Sequence, residues 1–143
     1  MSENMVTVEW KGKRVFEAHP PSGNRFVMDA YPESGGQNLG PTPMEAFIAS
    51  GAACSAMDVI QILEKKRQRV TSYTIEIDGE RTEEDAYPRP YVSIRVRHIV
   101  VGVGIDHDAV EQAVRLSDEK YCSVIATLRS APTVESVYEI REG

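Results

Sequence analysis

The sequence has 143 residues, of which 41% are hydrophobic and 27% charged. That is the length of one domain and the composition of an ordinary globular chain rather than a disordered one. A formal net charge of -6 argues against a general nucleic-acid or anionic-membrane binder. No apolar run approaches the ~20 residues that span a bilayer. The N-terminal Met-Ser-Glu-Asn-Met is neither basic nor apolar, so a cytoplasmic location is the default expectation.

The first elements read as strands. Val6, Val8 and Trp10 alternate with Thr7 and Glu9, and Arg14 to Ala18 and Arg25 to Ala30 follow across the turn signal Pro20-Pro21-Ser22-Gly23-Asn24. Together they predict an antiparallel meander. A glycine- and proline-rich loop from Pro32 leads to a helix from about Pro43 to about Arg67. Thr42 is placed as its N-cap, Pro43 at the first helical position and Glu45 as the return carboxylate of a capping box. Met44, Phe47, Ile48, Gly51, Ala52, Val59, Ile62 and Leu63 recur at the spacing of a buried face. The small residues of its middle, Ala49 to Ala56, let another backbone approach closely, so this helix is expected to be central. Lys65, Lys66, Arg67 and Arg69 read as a solvated helix end.

Thr71 to Gly79 and Tyr91 to Val101 predict two long strands joined by the charged segment Glu80 to Pro90. Within that segment, Tyr87-Pro-Arg-Pro-Tyr91 reads as an ordered turn. Asp106 to about Asp118 predicts an amphipathic helix with Asp106 as N-cap, Tyr121 to Ser130 a short helix, and Thr133 to Ile140 a closing strand. Gly102 and Gly104 mark a strand-to-helix turn and complete no phosphate-binding fingerprint. The order of elements indicates an α+β fold in a single domain, residues 1–143.

Two distant cysteines, Cys54 and Cys122, do not form a disulfide framework in a cytoplasmic chain. Either suits a small buried hydrophobe. Cys54, however, falls within the small-residue helix, with Ser50 and Asp58 four residues to either side. Cys122 is placed at the start of a short helix, where the helix N-terminus and neighbouring Lys120 favour a thiolate. His19, His98 and His107 do not join the cysteines at zinc-ligand spacing.

The segment Gly40-Pro-Thr-Pro-Met-Glu45, followed by Gly-Ala-Ala-Cys54-Ser-Ala-Met, resembles the first cysteine motif of the OsmC/Ohr family of osmotically inducible and organic hydroperoxide resistance proteins. Asp118-Glu-Lys-Tyr-Cys122-Ser-Val resembles the second. Within the family the chain is most similar to the YhfA-type branch. The resemblance implies antiparallel sheets packed around a long central helix, and an intertwined homodimer with its sites at the interface. It also implies a thiol-dependent reduction of organic hydroperoxides to alcohols. Cys54 would become a sulfenic acid and Cys122 would condense with it to a disulfide, which an external dithiol then reduces. That scheme needs no metal and no organic cofactor.

One position departs from the family pattern. Family peroxidases place a thiolate-supporting glutamate directly after the proline of the first motif, where this chain has Met44. Glu45 precedes Cys54 by nine residues, the opposite side of a helix at ~100° per residue, and suits the capping role. Asp58 would raise a nearby thiol rather than activate it. The supporting arginine implied by the family comes from upstream of the helix, where the chain offers Arg14 and Arg25. A second reading is therefore an OsmC-like redox-sensing or small-molecule-binding protein without peroxidase activity.

Overall fold

The computed structural model describes residues 4–142. Two compact units make up the chain, one of residues up to Ser50 with Ile77–Arg95, the other of Gly51–Glu76 with the residues from Val96 onward. The long helix and the long hairpin each contribute one end to either unit.

In the first unit, β1 (Thr7–Trp10), β2 (Phe16–His19) and β3 (Phe26–Met28) form the expected antiparallel meander. The register pairs Val8 with Ala18 and Trp10 with Phe16, then Phe16 with Met28 and Ala18 with Phe26. Side chains of a strand alternate in direction, so one face of this sheet is apolar throughout. Ala18 is buried, yet Trp10 keeps 64% of its surface exposed and Val8, Phe16 and Phe26 are exposed as well. The loop after β3 closes on Asp29. This buried carboxylate accepts the backbone N–H groups of Ala30 (2.7 Å), Gln37 (3.0 Å) and Leu39 (3.1 Å). Burial alone would push the Asp29 carboxyl up, but the three N–H bonds outweigh it and hold it below the ordinary carboxylate range. Gly40 belongs to the same closure: a Cβ there would lie 2.2 Å from the Val27 carbonyl oxygen, so only glycine fits.

Helix α1 (Pro43–Lys65) starts as the sequence predicts. Thr42 N–H donates to Glu45 Oε1 at 2.9 Å, and Glu45 N–H donates to Thr42 Oγ1 at 3.1 Å, a complete capping box. Its 23 residues are, by length and composition, long and apolar enough to cross a membrane, which the expectation from apolar runs had excluded. The difference comes from its alanines, glycine and cysteine, which are apolar on average without forming a run of large side chains. Its buried stripe is Gly51, Ala52, Ser55, Val59 and Leu63. Phe47, placed on that stripe by periodicity, is instead exposed and stacks against Tyr91 at 6.4 Å.

In the second unit, Val59 and Leu63 pack against Ala109 and Ala113 of α2 (His107–Leu116), with Ile62, Val70, Tyr73, Val100, Val110 and Val114 around them. Fully burying a valine or leucine side chain contributes about 1.5–3 kcal/mol. Asp106 caps α2, accepting from Asp108 N–H at 3.1 Å, as expected. The strands β4 (Arg69–Arg81) and β5 (Tyr91–Val103) pair as a two-stranded antiparallel sheet, with Tyr73, Ile75 and Ile77 on the less exposed face of β4.

Two expectations are corrected at the C-terminal end. The helix drawn to about Asp118 stops at Leu116 and gives way to a π-helical turn, Ser117–Tyr121, before α3 (Ser123–Arg129). The closing strand is absent: residues 131–142 have no regular structure, and Val134, Val137, Tyr138 and Ile140 are each more than four-fifths exposed. The alternation that suggested a strand is real. A strand nevertheless requires a partner for its backbone groups, and residues 131–142 pair with none of the described strands.

Candidate functional site

Cys54 lies mid-helix in α1, half-buried, and Cys122 is the N-cap residue of α3, with only 3% of its surface exposed. Both are free thiols, both belong to the second unit, and Cys54 lies near enough to Cys122 to raise its pKa. The two motif cysteines, far apart in sequence, therefore meet in space.

The electrostatics of Cys122 differ from the sequence expectation. Its sulfur does accept N–H groups at the α3 start, from Ile125 at 3.5 Å and from Val124. These favour the thiolate, but burial is the larger effect and pushes the thiol up, and the neighbouring Cys54 adds to the rise. Cys122 is thus a sheltered thiol held toward its protonated form. Lys120, expected to help, holds its ammonium over the Tyr121 ring at 5.3 Å instead.

The turn that carries Cys122 is fixed from below. Cys122 N–H donates to the Ser117 carbonyl at 2.9 Å, the five-residue step that defines the π-turn. The Ser117 hydroxyl, fully buried, lies 3.1 Å from Ser55 Oγ and 3.1 Å from Asp58 Oδ2. The sequence reading placed Asp58 beside Cys54 but missed Ser55 and Ser117. The signal for Ser55 was available: four-residue spacing puts it between Gly51 and Val59 on the buried stripe, and a buried serine needs a partner.

Arg14 and Arg25 belong to the first unit. Arg14 is exposed, its Nη1 donating to the Lys13 carbonyl at 3.5 Å, and the Arg25 guanidinium lies 3.9 Å from Glu17. Glu45 is fully engaged in the cap and also accepts the Tyr31 hydroxyl at 2.6 Å. The Tyr31 hydrogen bond, followed by those from Thr42, holds the Glu45 carboxyl below its ordinary range. Its structural role is borne out.

His19 does not meet a cysteine either. It sits on the polar face of the meander, 3.0 Å from Glu17 and 3.6 Å from Glu9, in a cluster that Lys11 and Arg25 border with positive charge. His98 bonds Tyr73 rather than a metal-type cluster, its Nδ1 lying 2.6 Å from the tyrosine oxygen.

An α+β chain with a small-residue helix bearing one thiol, and a second thiol at the cap of its last helix among the described residues, is matched by the family model described as OsmC-like protein over residues 35–137. The chain belongs to the OsmC-like family. It is 38% identical to Protein YhfA of Escherichia coli over 133 residues, 93% of this chain and 95% of that protein. A hypothetical protein from Aquifex aeolicus has a crystal structure similar at a TM-score of 0.75, with 34% identity, over 90% of this chain and 89% of that one. An organic hydroperoxide resistance protein from Legionella pneumophila shares the fold at a TM-score of 0.61 and 15% identity, over 90% of this chain and 92% of that one.

Proposed function

We propose that the protein is a thiol-dependent peroxidase that reduces organic hydroperoxides through Cys54 and Cys122. The observation that carries the reading is the pairing of a half-buried thiol, Cys54, with a buried one, Cys122, inside one unit. The more accessible Cys54 meets the substrate as thiolate and attacks the outer peroxide oxygen. The O–O bond breaks, the alkoxide leaves and takes a proton to become the alcohol, and Cys54 is left as a sulfenic acid. The Cys122 sulfur then attacks the Cys54 sulfur, expelling water and forming the disulfide. An external dithiol reduces the disulfide and restores both thiols. No metal or organic cofactor enters the scheme, and the cytoplasm, with its thiol reductants, is the compartment that suits it.

A guanidinium from Arg14 or Arg25 is proposed to hold Cys54 as thiolate, in a homodimer in which a second copy covers the apolar face of the meander and the apolar residues of the tail. Their exposure, Trp10 at 64% and Tyr138 at 88%, supports such a covering.

With dithiothreitol as reductant, the purified protein is expected to consume cumene hydroperoxide, and Cys54→Ser to lose that consumption. Arg14→Ala and Arg25→Ala identify the supporting cation as the one whose loss slows the reaction. A Cys54→Ser variant as active as the parent would remove the assignment. One observation favours a second reading, a redox-sensing or small-molecule-binding protein of the same fold: Met44 stands where family peroxidases have a glutamate, and Glu45 is committed to the cap. On that reading peroxide turnover stays at background while Cys54 still reacts with electrophiles.

A further inference from the structure

The turn that delivers Cys122 is tied to the helix that carries Cys54 by a polar chain with no part in the redox steps. Ser55 and Ser117 have no exposed surface, and a buried hydroxyl costs stability unless it is bonded. A serine has one proton to give, and an ionised carboxylate can only accept. Asp58 Oδ2, at 3.1 Å, therefore takes the Ser117 proton, and the Ser55 hydroxyl, at 3.1 Å, donates to Ser117 Oγ. The Ser55 carbonyl, 3.4 Å from Ser117 Oγ, lies beside the same group. A hydrogen-bond chain ending on a carboxylate is stronger than one between neutral groups.

The placement of its members is the informative part. Ser55 follows Cys54 directly, and Asp58 is one helical turn further along α1. Ser117 opens the π-turn, and its carbonyl accepts the N–H of Cys122. The chain thus clamps the backbone next to one sulfur to the backbone bonded to the other. A disulfide tolerates only a narrow range of Cα separations and torsions, so the freedom of this turn bears directly on how readily the pair closes.

We infer that Asp58, Ser117 and Ser55 are positioning residues that pre-set the Cys54–Cys122 approach and so raise the tendency of the pair to form a disulfide. The inference rests on reading the two thiols as a redox pair, and it gives Asp58 a role other than acting on the Cys54 thiol.

The test avoids peroxide. Full-length protein is equilibrated with glutathione redox buffers: Cys54 and Cys122 lose their two protons and two electrons to glutathione disulfide, which yields two glutathione thiols. The oxidised fraction is read by alkylation and intact mass. Relative to the parent, Ser117→Ala is expected to lower the equilibrium constant for disulfide formation by about tenfold. Asp58→Asn, which keeps an acceptor oxygen but removes the charge, is expected to lower it by a smaller factor. Asp58→Asn decides the matter where Ser117→Ala does not fold. Leu63→Ala, a truncation in the core of the same unit, controls for general loosening and is expected to leave the constant unchanged. Constants within twofold of the parent for the folded positioning variants overturn the inference. So does an equal fall in Leu63→Ala. Failure of the parent itself to form the Cys54–Cys122 disulfide sinks the redox-pair reading and the inference together, whereas a protein that closes the disulfide but ignores peroxide leaves the positioning role intact.

Discussion

Cys54 and Cys122 stand as neighbours, one half-buried on the middle of α1 and one buried at the cap of α3. Burial is the largest influence on Cys122 and raises it, and burial does not depend on the thiol of its partner. In Cys54→Ala, alkylation of Cys122 by iodoacetamide should therefore rise with pH at a midpoint above the ordinary thiol range, because the thiolate is the reacting form. Unfolding in urea should return the midpoint to that range. A native midpoint at or below it would mean that the α3 N-terminus, rather than burial, dominates.

The capping box makes a separate prediction. Thr42→Ala removes the acceptor for Glu45 N–H and should cost about 1 kcal/mol in urea unfolding. Glu45→Ala should also lower stability, by losing both the Thr42 N–H and Tyr31 hydroxyl bonds. Neither substitution should change the rate at which hydroperoxide closes the disulfide. A large kinetic effect of Glu45→Ala, at unchanged fold, would return Glu45 to the reaction.

Much of this was legible in the sequence because it is local. The capping box at Thr42 and Glu45, the Asp106 cap, the meander and the cysteine motifs each depend on residues a few positions apart. What was not legible depends on tertiary context. The π-turn begins at Ser117, whose hydroxyl is bonded to Ser55 and Asp58 of α1, and nothing in Ser117-Asp-Glu-Lys-Tyr121 itself announces either feature. The helix-start argument for Cys122 had the direction of the N–H effect right but could not weigh it against burial. The tail Val134 to Ile140 has the alternation of a strand but pairs with none of the described strands.

The Tyr73–His98 contact gives a pH dependence. Burial lowers His98 from its usual 6.5, against the opposing pull of Asp118, and burial also raises Tyr73 to about 12. The folded state thus binds the histidine proton less readily than the unfolded state does. The stability contributed by neutral His98 is fully present above the unfolded value and is lost as pH falls through the lower folded value. Thermal unfolding should show Tm falling as pH drops below the unfolded histidine value of 6.5 more steeply in the parent than in His98→Gln, which keeps an acceptor for the Tyr73 hydroxyl. Equal slopes would place the acid sensitivity elsewhere.

The central claim is that Cys54 and Cys122 form one redox unit toward organic hydroperoxides. The most direct measurement adds one equivalent of cumene hydroperoxide to the reduced protein and follows intact mass and tryptic peptides. The expected product has lost two hydrogen atoms and contains a Cys54–Cys122 cross-link within one chain, while Cys122→Ser stops at a Cys54 sulfenic acid that dimedone traps. Two thiols left reduced, or oxidation that gathers on other residues, would contradict it.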